Sequence, residues 1–291
     1  MTLDWQTRIN NAIQYMETHL GEPADIVRIA KIANCSAFHF MRMFEVITGI
    51  SPAEYIRRRR LSLAALKLVS GREKILDIAL AAGYDSPDSF SRAFRREFNC
   101  TPSKARQEGT SLHAYPPLSF SIVLKGDKAM EFRIEEGPAL TLTGISITVN
   151  SKDGSNLTNI PRFWDDSMQD GRLKPFFEKA GDSALGVCGV CHSFDMKTGN
   201  FVYSIAIEKP RDTKSLPKGC TDIPVPASTW GKFTSRGPMR KNFQETIKRI
   251  FSEWFPASGR EHSGAPEIEY YPPLPDHEAE DYWCEYWVPL K

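Results

Sequence analysis

The chain has 291 residues, with 37 Lys/Arg against 36 Asp/Glu, a net charge of +1, and 41% hydrophobic residues. That is long enough for two domains with cores of their own, and no apolar run approaches the roughly 18 residues of a membrane span. The near-neutral total hides an uneven distribution. Residues 1–108 carry 16 Lys/Arg and 12 Asp/Glu, a net of +4, and the remainder a net of −3. The first stretch, with Ile9, Ala12, Ile13, Met16 and Leu20 at helical spacing, reads as an amphipathic helix and not as a signal peptide. A cytoplasmic protein is expected, in which six cysteines demand no disulfides.

Two similar segments follow. In Ile26–Gly49, Ile26, Ile29, Ala30 and Ala33 mark a short buried helix. Asn34-Cys35-Ser36 then breaks the chain, and Ala37–Thr48 forms a second helix with Phe40, Phe44 and Ile47 inward and Gly49 as its stop. Phe38, His39, Met41, Arg42 and Glu45 are left to the outer face or its margins. The basic helical stretch Ala53–Ser70 joins this segment to Ile75–Asn99, which repeats the plan. Ile75, Ile78, Ala79 and Ala82 face inward, and Gly83 ends the helix. Ser86 caps the next one, with Pro87 at its first position, where a missing N–H costs nothing. Phe90, Ala93, Phe94 and Phe98 are its inner stripe, leaving Asp88, Ser89, Arg92 and Arg96 outside. Two helix-turn-helix copies in tandem point to DNA binding, since each offers one helix to a major groove. Arg42 and Arg92 occupy corresponding positions, from which a guanidinium can bond guanine O6 and N7 together. The run Arg57–Arg60 suits a solvated face or a phosphate clamp better than sequence reading.

These residues closely resemble the AraC/XylS family of transcription regulators over about the first 107 positions. The strongest part is Ile75–Arg106, with Gly83-Tyr84, Ser89-Phe90-Ser91-Arg92-Ala93-Phe94-Arg95-Arg96, Phe98 and Thr101-Pro102-Ser103. The resemblance implies two recognition helices reading adjacent major-groove segments of promoter DNA. It makes Phe38, Met41, Arg42, Pro87, Asp88 and Arg92 the base-facing candidates, with Arg96 beside them. Phe38, Met41 and Pro87 offer only apolar contacts, for example to thymine methyls.

A linker is expected at 108–117. Beyond it Phe120–Leu124, Glu131–Ile134 and Leu140–Val149 read as strands, Ile160–Ala180 as interrupted helix, and Leu185–Phe194 and Phe201–Glu208 as a hairpin around Lys197–Asn200. A similar order recurs: strands at Thr221–Val225 and Thr229–Ser235, a helix at Phe243–Phe255, and strands at Ile268–Tyr271 and Tyr282–Pro289. Pro138-Ala139-Leu140-Thr141 and Pro226-Ala227-Ser228-Thr229 open corresponding strands. Cys188-Gly-Val-Cys191-His192 matches a haem-attachment string, but residues three apart in a strand point to opposite faces, so structural cysteines are expected, with no metal and no cofactor. In the last strand, alternation places Trp283, Glu285 and Trp287 on one face. A carboxylate between indoles attracts organic cations by charge and cation–π contact.

From about Met130 the chain resembles the GyrI-like small-molecule-binding domain, on Phe132-Arg133-Ile134, the duplicated order and the ending Cys284-Glu285-Tyr286-Trp287-Val288-Pro289. That resemblance gives Glu285 the role of the cleft carboxylate, with Trp164, Tyr203, Trp230, Phe233, Tyr270 and Trp283 as wall residues. The expected architecture is thus an all-α tandem helix-turn-helix DNA-binding domain (1–107), a linker (108–117) and an α+β domain of duplicated β-β-α-β-β halves (118–291). The expected function is a transcription regulator, not an enzyme, that senses a hydrophobic or cationic effector. Its expected partners are promoter DNA, RNA polymerase and the effector, with no membrane, as monomer or homodimer. Two alternatives are a hydrolase of reactive xenobiotics fused to a DNA-binding domain, and a protein-interaction module that takes no ligand.

Overall fold

The computed structural model describes residues 5–71, 73–107, 110, 112–120, 129–150, 156–180, 183–195, 198–272 and 276–291. The chain divides into two compact units: Met1–Ala37 with Pro52–Val123, and Phe38–Ser51 with Leu124–Lys291. The helices of the first 107 residues are α1 (Trp5–Thr18), α2 (Ile26–Ile32), α3 (Ala37–Thr48), α4 (Pro52–Ser70), α5 (Ile75–Ala81), α6 (Pro87–Phe98) and α7 (Pro102–Ala105).

Local chemistry sets the ends of these helices. Asp25 accepts from the Arg28 N–H at the start of α2. Ser86 accepts from the Ser89 N–H ahead of Pro87 at the start of α6. Asn99 closes α6 in the left-handed region. The core of this unit gathers Leu61, Ala64, Ala65 and Leu68 of α4, Ile78 and Ala79 of α5, and Phe90, Ala93, Phe94 and Phe98 of α6. The inner stripe expected for the second copy is therefore the packed one.

Residues 112–120, read as linker and the start of the second domain, are held on α1 and α4. The Tyr115 and Leu118 N–H groups donate to Ser62 Oγ (2.9 Å) and the Tyr55 hydroxyl (3.0 Å). Phe120 exchanges hydrogen bonds with Asn10, both at 2.8 Å. The strand expected at Phe120–Leu124 falls almost wholly outside the described residues.

The second unit is built on an antiparallel sheet of eight strands: β1 (Phe132–Gly137), β2 (Leu140–Asn150), β3 (Cys188–His192), β4 (Asn200–Glu208), β5 (Thr221–Val225), β6 (Ser228–Arg236), β7 (Glu267–Tyr270) and β8 (Trp283–Leu290). The duplicated order is present. Helices α8 (Asn156–Gln169) and α9 (Lys174–Lys179) separate β2 from β3. Helix α10 (Met239–Arg249), running through a π-helical turn at Ile250–Trp254 into α11 (Phe255–Ser258), separates β6 from β7. The spatial order is β1-β6-β8-β7-β3-β4-β2-β5. Each half thus places its first strand on the edge of the other half, so β1 pairs with β6 and β5 with β2.

Strand alternation sorts the side chains into two layers. One layer holds Leu142, Cys188, Val190, Ala206, Ile223, Val225, Trp230 and Ile268, with Tyr270 and Trp287 against them. The other holds Ile145, Val149, Cys191, Tyr203, Ile205 and Ile207, with Phe163 of α8 and Phe176 of α9 packed on them. Cys188 and Cys191 therefore point to opposite faces, as a period of two requires.

Candidate nucleic-acid interface and effector site

Helix α6 exposes Pro87 at its first position, and Asp88, Arg92 and Arg96 on the side away from Phe90 and Phe94. The corresponding side of α3 is covered. His39 and Met41 are 3% and 9% exposed, so the outer face expected for them is not outer. Within the second unit the Phe38 ring packs on Phe194 (5.3 Å between centroids) and His262 (4.7 Å). His39 stands edge-on to Phe255 at 4.7 Å. Arg42 reaches the carboxylate of Glu267 on β7 with two bonds, Nε to Oε1 at 2.8 Å and Nη2 to Oε2 at 2.7 Å. It also donates to the Tyr286 hydroxyl at 3.0 Å and lies over the rings of Phe194 and Phe251. Glu267 is fully buried. Burial alone would raise its pKa, but the Arg42 guanidinium, helped by His262 at 3.1 Å, outweighs that and holds the carboxyl well below its usual range.

The run Arg57–Arg60 is neither a solvated face nor an open clamp. Arg57 bonds Glu54 and Glu97, and Arg58 bonds Glu54. Arg59 grips Glu17 of α1 and the Tyr115 carbonyl. Arg60 caps the carbonyls of Leu20 and Glu22. The four guanidiniums thus tie together elements of the first unit.

The residues assigned to the effector site divide between the two layers of the sheet. Glu285, Trp283, Trp230 and Tyr270 share one face. There Glu285, 4% exposed, is already paired with Arg133 of β1 and accepts from the Trp287 indole at 2.7 Å. The Lys232 ammonium lies 3.8 Å from the centre of the Trp287 ring and pairs with Glu135 at 2.7 Å. That face supplies its own cations.

Tyr203, Phe233 and Trp164 lie on the opposite, helix-covered side. Phe233 is a core ring, packed on Trp254 at 4.9 Å. Tyr203 and Trp164 belong to a cluster that the sequence reading missed, centred on Glu269 of β7. Trp164 donates to the Tyr203 hydroxyl (2.8 Å), which donates to Glu269 Oε2 (2.5 Å), and Tyr271 donates to the same oxygen at 2.7 Å. The indole of Trp164 stands edge-on to Tyr271 at 5.6 Å, and Phe243 closes that side at 5.9 Å. Glu269 is 7% exposed, and among the described residues no ion pair includes it. Burial raises its pKa; the two phenol donors oppose that and the Glu267 charge adds to it. Room for the cluster comes from Gly189, paired with Glu269 across β3 and β7, where a Cβ would collide with the Tyr203 hydroxyl and the Glu269 carboxylate. The missed signal was Glu267-Ile268-Glu269-Tyr270, in which a period of two aims both carboxylates into the helix-covered layer. No group of three or more His, Cys, Asp or Glu suited to a metal ion occurs among the described residues.

Comparison with known proteins matches each part of the chain to a family, with α3, which clusters with the second compact unit, inside the helix-turn-helix match. Residues 133–290 match the family described as integron-associated effector binding protein, and residues 29–108 match a helix-turn-helix domain family. The regulatory protein SoxS of Salmonella typhimurium is 43% identical over 101 residues, covering 35% of this chain and 94% of SoxS. The transcriptional regulator Rob of the same organism is 35% identical over 136 residues, 46% of this chain and 44% of Rob, so the similarity spans less than half of that relative. Among solved structures, SAV2435 bound to tetraphenylphosphonium superposes with a TM-score of 0.48 at 24% identity, over 56% of this chain and 94% of that one. No described helix is long and apolar enough to cross a membrane.

Proposed function

The chain belongs to the family of integron-associated effector binding proteins and carries an AraC-type DNA-binding domain, and on that premise we propose that it is a transcription regulator whose sheet unit senses an organic cation at Glu269. The observation that carries this reading is a buried carboxylate with aromatic neighbours and no ion-pair partner among the described residues. An unpaired carboxylate in a low-dielectric site favours any cation that can reach it, and the rings of Trp164, Tyr203 and Tyr271 favour a flat, delocalised one. Glu285 is the weaker candidate, because an incoming cation must first displace Arg133. The module acts by binding and releases its ligand unchanged. DNA is read through α6, with Arg92 as the guanine-reading residue, and the bound regulator acts on RNA polymerase at the promoter.

Titration of the full chain with crystal violet and with its neutral leuco form tests the effector site, since the two share a skeleton and differ in charge. Crystal violet binds and the leuco form does not. Glu269→Gln weakens crystal violet binding by at least about 2 kcal/mol, the scale of losing one partner of a buried charge pair. Glu285→Gln has little effect. A larger loss in Glu285→Gln than in Glu269→Gln would move the site to the other face of the sheet. Recovery of chemically altered dye would replace sensing by catalysis.

A further inference from the structure

The two recognition helices are in opposite situations. Pro87, Asp88, Arg92 and Arg96 of α6 are exposed, whereas Phe38, Met41 and Arg42 of α3 are covered by residues of the second unit. The coverage is chemical as well as steric. Glu267 offers Arg42 two parallel acceptor oxygens, the geometry that guanine offers through O6 and N7. The Arg42 guanidinium also lies over two phenyl rings, at 5.5 Å from the centre of Phe194 and 5.6 Å from that of Phe251. Arg42 cannot bond a base and Glu267 at once.

We infer that Glu267 is a latch that imitates a base edge, holding the first recognition helix off DNA, so that DNA and β7 compete for the same guanidinium. In the latched state only α6 is free to read. Release adds the second helix and with it the second half of the target.

The latch lies next to the proposed effector carboxylate. Glu267 and Glu269 are two residues apart on β7 and face the same side of the sheet. They are close enough to repel each other, and the Arg42 charge acts on both. A cation seated at Glu269 adds positive charge beside Arg42 and weakens its hold on Glu267. This coupling rests on the effector reading given above; the latch itself does not.

The test is selection of binding sites from a pool of random 40-base-pair duplexes, using the full chain. The wild type enriches one short motif. Glu267→Gln keeps the shape of the side chain, removes the charge that holds Arg42, and enriches two motifs about 10 base pairs apart, the spacing of one helical turn. On that two-part site the variant binds about 10-fold tighter than the wild type, the scale of one bidentate arginine–guanine contact. In parallel, amide exchange in the α3 segment rises in the variant while α6 is unchanged. Tyr286→Phe, which removes a single hydroxyl from the cluster, gives a smaller change in the same direction and stands in if Glu267→Gln does not fold. Enrichment of the same two-part motif by the wild type and both variants, with equal affinity, would overturn the latch. Crystal violet shifts the wild type toward the two-part motif. If both variants shift and the dye does not, the latch stands and the cation coupling fails.

Discussion

Arg42 and Arg92 occupy equivalent places in two helices of the same design and meet opposite surroundings. Arg92 is exposed on α6, so Arg92→Ala lowers affinity for the selected duplex by about 1–3 kcal/mol and relaxes preference at one base pair. An equal loss on every sequence would reduce Arg92 to a phosphate contact. Beside Arg42, His39 gives a second handle. Burial, with His262 nearby, pushes its pKa down to about 4. An unfolded chain takes up that proton near pH 6.5, before the folded one does, so the His39 contribution to stability is complete above pH 6.5 and is lost as pH falls toward 4. Urea unfolding at pH 7 and pH 5 therefore shows the wild type losing about 2 kcal/mol more than His39→Gln, because groups common to both cancel in the difference. Identical losses would mean that His39 is not held neutral.

At the scale of elements, the backbone was more legible than the side-chain environments. Ser86 and Pro87 announced the start of α6, and four apolar positions at helical spacing announced its packed face. The duplicated strand order was also readable from Pro138-Ala139-Leu140-Thr141 and its counterpart at Pro226. Two things were not. Which edge β1 and β5 join depends on pairing with distant strands, and nothing local to either records it. Nor does a single recognition helix record what covers it, so Met41 and His39 read as outer residues. The sequence singled out Glu285 for its flanking indoles, and nothing local to it records its partner Arg133, 152 residues away. Gly189 shows the same dependence. On an open strand Gly→Ala stabilises by about 0.4–1 kcal/mol where the backbone permits it. Here the added methyl meets Tyr203 and Glu269, so Gly189→Ala destabilises by about 1–3 kcal/mol, the usual cost of overpacking, and abolishes crystal violet binding. Thermal melting and dye titration of the variant measure both.

For the whole molecule, the net charge is only +1 but residues 1–108 carry a net +4, and within them the four-arginine run at 57–60 reads from sequence as a solvated face or a phosphate clamp. Its guanidiniums instead bond Glu54, Glu97, Glu17 and three backbone carbonyls inside the first unit. The charges of Arg57, Arg58 and Arg59, matched by carboxylates within the protein, release few counterions from DNA, whereas Arg60 bonds only carbonyls. Binding to duplexes of arbitrary sequence then draws on Arg60 and the exposed Arg92, Arg95 and Arg96, and log K falls against log [KCl] with a slope of about −4, where a further three free arginines would bring it to about −6. Fluorescence anisotropy between 50 and 300 mM KCl separates these slopes, on the order of the range that tests counterion release. A shallow slope means short dwell times on the wrong sequence. For a regulator that must find one promoter among the roughly million or more competing sites of a genome, a helix whose positive charge is turned inward is an aid to the search.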